Sequence, residues 1–123
     1  MTFTFSLVIA VPTDVPQDVL TAINSRTLHI SWASPPFEHQ NGIISEYRVN
    51  ITERETGMVF RLITAATSVT VPSLHPYYNY KCTIAAVTTG EGPYSMELAI
   101  TMPEDGMYLY IYFEYSNSVL LVE

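Results

Sequence analysis

Cysteine and positive charge are both scarce in this chain of 123 residues. Cys82 is the only cysteine, so no intramolecular disulfide can form and core packing must hold the fold together. Five Lys and Arg residues stand against twelve Asp and Glu residues, which gives a net charge of −7. Because a phosphate backbone would be repelled by most of such a surface, nucleic acid is not an expected partner.

Long hydrophobic runs are absent as well. The apolar stretch at 107–122 is shorter than the roughly 18 residues that a membrane-spanning helix needs, and Glu114 interrupts it. The apolar start of the chain lacks the basic region and the small-residue cleavage site of a signal peptide, so we interpret it as part of the chain. We expect no direct insertion into a membrane.

The residue types that enzymes and metal sites need are present but dispersed. The three histidines lie in separate segments, without the short spacings of a metal site: His29, His39 and His75. Gly90 and Gly92 belong to a predicted hairpin and precede no helix, which excludes a phosphate-binding loop. Cys82 is expected to point inward as an inert thiol. The sequence therefore predicts no enzyme, no catalytic residue, no metal and no cofactor.

Short runs rich in Val, Ile, Thr, Tyr and Phe fill the middle of the chain, separated by turn residues. Apolar residues make up 48% of the chain and charged residues 14%, a composition that favours a folded domain. Leu28, Ile30 and Trp32 alternate with polar residues, which is the pattern of a half-buried strand. Further strands are predicted at 43–52, 58–64, 67–71, 77–88 and 95–102. This spacing is typical of an all-β sandwich or barrel.

Several motifs follow one another in a specific order. They are Val15-Pro16, Leu28-x-Ile30-Ser31-Trp32, Pro35-Pro36, Asn41-Gly42, Ile44-x-x-Tyr47-x-Val49, Leu74-x-Pro76-x-x-x-Tyr80-x-Cys82 and Gly90-x-Gly92-Pro93-x-Ser95. Together they resemble a fibronectin type III domain. The resemblance implies an immunoglobulin-like, seven-stranded antiparallel β-sandwich, with a core that includes Trp32, Tyr47, Leu74, Tyr80 and Cys82. It also implies a tyrosine corner, in which the Tyr80 hydroxyl bonds back to upstream main chain. A true immunoglobulin domain would need a disulfide that a single cysteine cannot form.

The two ends depart from this family pattern. We expect the domain at 15–103, with 1–14 as the end of a preceding repeat or a linker, because 6–15 resembles 95–104. Residues 104–123 form an aromatic tail foreign to the family. Such an aromatic, β-prone strand would pair with a free sheet edge of its own domain or of another chain, and so can promote self-association. We favour an alternative or truncated end over a functional device.

The resemblance implies a non-catalytic protein-interaction or spacer module from a multi-repeat cell-surface adhesion or signalling receptor. A receptor-type protein tyrosine phosphatase ectodomain is one such parent. The expected partners are a protein and the neighbouring repeats, and the expected location is the extracellular part of a plasma-membrane protein. The alternative is a cytoplasmic structural repeat of a scaffold or muscle-type protein.

Two loops and one strand carry the candidate contact and modification residues. Glu91 and Tyr94 lie in a glycine-flexed hairpin, and Phe37 lies in a proline-rich loop, positions from which side chains can meet a partner. Asn50 begins an Asn-x-Thr sequon on the predicted solvent face of a strand. We expect Asn50 to carry a glycan if the parent protein is secreted.

Overall fold

The computed structural model describes residues 10–104, 109–113 and 119–122. These residues form strands with one short helix, in the order β1 (Gln17–Asn24), β2 (Thr27–Ala33), α1 (Phe37–Gln40), β3 (Glu46–Glu53), β4 (Val59–Thr64), β5 (Ser68–Val71), β6 (Asn79–Val87), β7 (Leu98–Thr101), β8 (Leu109–Phe113) and β9 (Val119–Val122).

The strands form two antiparallel sheets. One sheet has the order β4-β3-β6-β7 and the other has the order β5-β2-β1-β8-β9. The core cluster draws buried side chains from both sheets, so the sheets pack face to face as a sandwich. The predicted all-β, immunoglobulin-like sandwich is confirmed, and β1 to β7 are its seven strands. The tail adds two more strands to that number.

The period-two alternation seen in the sequence produces the core. On β2, Leu28 and Ile30 are fully buried, and Trp32 packs edge-on against Tyr47 with ring centroids 5.4 Å apart. The sequence-predicted core residues are all buried: Trp32, Tyr47, Leu74, Tyr80 and Cys82. Burying a large aliphatic or aromatic side chain contributes about 1.5–3 kcal/mol, so packing of this extent replaces a disulfide as the source of stability.

The segment between β5 and β6 is fixed by Tyr80, which is fully buried. Its hydroxyl accepts a hydrogen bond from the His75 backbone N–H at 2.9 Å, which is the backward bond of a tyrosine corner. The same hydroxyl donates to Glu53 Oε2 at 3.2 Å, and Thr56 Oγ1 donates to Glu53 Oε1 at 2.7 Å. Burial raises the pKa of Tyr80, although the His75 N–H opposes that rise, and the adjacent Glu53 carboxylate raises it further.

The aromatic tail joins the sheet of its own domain. β8 runs antiparallel to β1 from Leu20 opposite Phe113 to Asn24 opposite Leu109, and β9 pairs with β8. The sequence left two partners open for this segment, its own sheet edge or that of another chain, and here the edge of β1 is used. The remaining tail residues, 105–108, 114–118 and 123, lie outside the described part of the chain.

Residues 10–13, here called the lead-in segment, run between the β2–β3 loop and the β6–β7 loop. On the side of the β6–β7 loop, the Thr88 and Thr89 hydroxyls donate to the Ala10 carbonyl at 2.9 and 2.7 Å. On the side of the β2–β3 connection, Asn41 Nδ2 donates to the Val11 carbonyl at 2.9 Å, and the Thr13 N–H donates to the His39 carbonyl at 2.8 Å. Pro12 is fully buried, and a Cβ added at Gly92 would lie 2.7 Å from the Pro12 Cβ. The chain therefore enters the domain along a fixed path. Residues 1–9, most of the segment predicted as the end of a preceding repeat or a linker, lie outside the described residues.

Candidate functional site

A groove of about 470 Å³ lies on the outer face of the four-stranded sheet. We call it the contact groove and define it by the residues that line it: Arg48, Asn50, Arg61, Leu62, Ile63, Glu91 and Tyr94. These residues come from β3, β4 and the loop between β6 and β7. The groove therefore combines a rigid sheet floor with a wall supplied by a loop.

The alternation of β3 explains why its polar residues reach the groove. Val49 and Ile51 are fully buried, so the residues beside them, Arg48 and Asn50, point away from the core. The register with β4 pairs Arg48 with Ile63 and Asn50 with Arg61. Side chains at paired positions lie on the same face of a sheet, which brings the four together as the groove floor.

An ion-pair network connects β3 to the β6–β7 loop. Arg48 Nη1 donates to Glu91 Oε2 at 2.9 Å, and Arg48 Nε donates to Glu46 Oε2 at 3.2 Å. These hydrogen bonds raise the pKa of Arg48, with Glu91 the larger cause. Because the pair is solvent-exposed, its role is to orient the two side chains rather than to add much stability.

Tyr94 completes the wall of the groove. Its hydroxyl donates to Glu91 Oε2 at 3.0 Å, so one carboxylate oxygen is shared between the phenol and the Arg48 guanidinium. Burial raises the pKa of Tyr94, the hydrogen bond to Glu91 raises it further, and the Asn50 side chain opposes both effects. Tyr94, Glu91 and Arg48 thus form one connected polar network, and Asn50 lines the same groove.

The position of Tyr94 follows from main-chain bonds on either side of it. The Gly92 N–H donates to the Ala86 carbonyl at 2.9 Å, and the Ser95 N–H donates to the Ile84 carbonyl at 2.8 Å. The buried Ser95 hydroxyl accepts from the Ile84 N–H at 3.0 Å. These bonds fasten the loop to β6 before and after Tyr94, so its side chain is held over the sheet.

The structure brings some of the sequence-predicted residues together and separates one. Glu91 and Tyr94 meet in the contact groove, and Asn50 lies in the same groove. Phe37 lies at the start of α1, is 86% exposed and does not line the groove. Sequence reasoning missed Arg48 and Arg61. The alternation of β3 already placed Arg48 outward, but only the strand register places it next to Glu91.

The chemistry of the groove is that of a polar recognition surface. Two guanidinium groups and an amide can donate hydrogen bonds, a carboxylate can accept them, and Tyr94 adds an aromatic surface. Within the described residues, no group of three or more His, Cys, Asp or Glu side chains could hold a metal ion. In that same part of the chain, no helix is both long and apolar enough to cross a membrane.

Comparison with known proteins identifies the family. The family model for the fibronectin type III domain matches residues 14–101, which include the contact groove and every buried residue of the core cluster except Met102. The chain belongs to the fibronectin type III family. The resemblance inferred from the order of the sequence motifs is therefore confirmed.

Individual fibronectin type III relatives are similar over most of this chain. The cell adhesion molecule DSCAM of Homo sapiens is 33% identical, over 78% of this chain and 5% of the relative. The tyrosine-protein phosphatase Lar of Drosophila melanogaster is 32% identical, over 77% of this chain and 5% of the relative. The crystal structure of the FN5 domain of Drosophila Lar has a TM-score of 0.59 and 29% identity, covering 76% of this chain and 98% of that domain. This chain thus spans a small fraction of the curated relatives that it matches.

Proposed function

We propose that this fibronectin type III domain is a non-catalytic interaction and spacer module in the extracellular part of a multi-repeat cell-surface adhesion or signalling receptor. Two of its relatives are named as a cell adhesion molecule and a tyrosine-protein phosphatase, and each is many times longer than this chain. The lead-in segment supports a place within such an array, because its contacts hold the incoming chain on a fixed path.

The observation that carries the interaction role is the contact groove. Arg48, Glu91 and Tyr94 are held together by hydrogen bonds of 2.9 and 3.0 Å on a rigid sheet, so their donors and acceptors need little reordering when a partner binds. Ile63, which is 67% exposed, adds apolar surface beside them. Aromatic and arginine side chains are the types most often found at the centre of protein interfaces. We propose a protein surface as the partner of this groove.

The proposed location is tested on intact cells that express the natural full-length protein. An antibody raised against this domain should stain them without permeabilisation. Staining that requires permeabilisation would contradict the proposal and support the cytoplasmic scaffold repeat instead. An antibody to a known cytosolic protein controls for membrane integrity.

The proposed contact surface is tested by photo-crosslinking on cells. A photoreactive residue replaces Ile63 in the groove or Thr70, which is exposed on β5 in the other sheet. The chain carries Asn50→Gln so that no glycan at that position affects the result. Crosslinking to a cell-surface protein from the Ile63 position alone, lost on Glu91→Ala, supports the groove. Equal crosslinking from both positions would contradict it.

Asn50 is proposed as a glycan acceptor that follows from the extracellular location. It lies on β3 with its side chain directed away from the core, as the alternation predicted. Peptide mass spectrometry of material secreted from mammalian cells should show this asparagine occupied in a fraction of the molecules, and a wholly bare peptide would contradict the proposal.

A further inference from the structure

We propose that the glycan on Asn50 lies in the contact groove, packs against Tyr94 and closes the groove to protein partners. Occupancy of one sequon would then decide whether this face of the domain is a binding surface. The inference rests on the proposed extracellular location, because only a chain that enters the secretory pathway receives an N-glycan.

The first step is the orientation of the sequon. Asn50 and Thr52 lie on the outer face of β3, while Ile51 between them is fully buried in the core. Glycan transfer forms a bond from Asn50 Nδ2 to the anomeric carbon of a lipid-diphosphate-linked oligosaccharide. The bond from that carbon to the diphosphate breaks, and one amide proton is released. In the folded domain, the attached sugar must then begin on the outer face of the sheet, within the groove.

The second step is the shared position of Asn50 and Tyr94. Both side chains line the contact groove, and the Asn50 amide opposes the rise in the pKa of Tyr94. An amide nitrogen that carries a sugar keeps one N–H, which remains available to donate a hydrogen bond within the groove after glycosylation. The first sugar therefore starts next to the Tyr94 ring.

The third step is the match between the groove and a sugar. Sugar hydroxyls both donate and accept hydrogen bonds, and the groove offers the guanidinium groups of Arg48 and Arg61 and the carboxylate of Glu91. Tyr94 and the exposed Ile63 offer apolar surface for the ring face and the acetyl methyl of N-acetylglucosamine. The volume of about 470 Å³ lies within the range of small-molecule sites, and covalent attachment gives the sugar a high effective concentration there.

The glycan and a protein partner would compete for the same residues of the contact groove. A sugar that covers Tyr94 and Glu91 removes both from solvent, and the chains beyond it extend over Arg61 and Ile63. A protein surface cannot occupy that space at the same time. The glycosylated domain would act as a spacer, and the unoccupied domain would expose a contact surface.

The experiment uses the full chain secreted from mammalian cells. Three forms are compared: with the intact glycan, with the glycan trimmed enzymatically to the first N-acetylglucosamine, and with the glycan removed completely. Expected results are nuclear Overhauser contacts between the first sugar and the Tyr94 ring, and a melting temperature raised by about 4 °C in the glycosylated form. Labelling of Arg61 by an arginine-specific dicarbonyl should fall severalfold when the glycan is present. Labelling of Arg54, exposed in the turn between β3 and β4, should not change.

Two variants separate packing in the groove from a general effect of glycosylation. Tyr94→Ala should leave occupancy of Asn50 intact but abolish the gain in melting temperature. Lys81→Asn, combined with Asn50→Gln, creates a sequon with Thr83 on β6, and any change in melting temperature that this glycan causes should be the same with and without Tyr94→Ala. A bare Asn50 would overturn both this inference and the proposed glycan site. An occupied Asn50 with no sugar contact to Tyr94 and unchanged Arg61 labelling would overturn this inference alone.

Discussion

Removal of a single oxygen atom from the Tyr80 side chain should strongly destabilise the domain. Tyr80→Phe keeps the buried ring but deletes the hydroxyl that accepts from the His75 N–H at 2.9 Å and donates to Glu53 at 3.2 Å. Glu53 is only 4% exposed, so water cannot easily replace the lost donor. Thr56 would remain as its hydroxyl partner.

The magnitude follows from the two hydrogen bonds. A neutral hydrogen bond contributes about 0.5–1.5 kcal/mol, and one to a charged group contributes about 1.5–3 kcal/mol. Tyr80→Phe should therefore lower the free energy of unfolding by about 2–4 kcal/mol. A typical domain is stable by only about 5–15 kcal/mol, so the loss is a large part of the total.

Urea unfolding followed by tryptophan fluorescence measures the effect, with Trp32 as the only reporter. Tyr77→Phe is the matched control, because it deletes the same atom from a side chain that is 67% exposed and should change stability by less than about 0.5 kcal/mol. A double-mutant cycle with Glu53→Gln should show coupling between the two sites. Equal losses for Tyr80→Phe and Tyr77→Phe would refute the reasoning.

Four further outcomes are expected. Trp32→Ala should cost about 3–5 kcal/mol in urea unfolding, and a loss below about 1 kcal/mol would contradict its place in the core. Gly92→Ala should cost about 1–3 kcal/mol and speed proteolysis of the lead-in segment, because the new methyl group overlaps its buried proline; unchanged stability and cleavage would disprove that contact. Glu91→Gln should lower the pKa of Tyr94 in an alkaline absorbance titration. Since folding raises that pKa, the contribution of Tyr94 to stability is complete below about pH 10 and is lost as pH rises through the folded-state value. Identical titration of Tyr94 in the wild-type protein and in Glu91→Gln would contradict the role of Glu91. Deleting residues 107–123 should uncover the edge of β1 and lower the free energy of unfolding in urea. A short chain that is monomeric by light scattering and as stable in urea as a self-associated full chain would contradict this.

The fold could be predicted from the sequence because its signals are local. Alternation on β2 and β3 identified the buried face before any contact was known, and Leu74 and Tyr80 at their characteristic spacing identified the corner. The Asn41-Gly42 turn was also readable, since both residues have positive φ values of 55° and 142°. Each of these inferences depends on residues close together in the chain.

The contact groove could be predicted only in part, because it depends on distant pairings. Glu91 and Tyr94 were recognised as loop residues, yet Arg48 becomes their neighbour only through the position of the loop against β3, 43 residues earlier. Asn50 was recognised as a sequon, but its place beside Tyr94 in the groove arises from the same long-range arrangement. The pairing of the tail with β1 is a further case, because a strand-forming sequence does not specify which edge it joins.

The position of the lead-in segment determines which surfaces are left for recognition. The β2–β3 and β6–β7 loops lie at one end of the sandwich, and residues 10–13 fill the space between them with hydrogen bonds to Asn41, Thr88 and Thr89. A partner that approached between these two loops would have to displace that segment and uncover a buried proline. The outer face of the four-stranded sheet requires no such displacement. We therefore expect this domain to bind a protein partner at the contact groove. A glycan on Asn50 would compete with that partner for the groove.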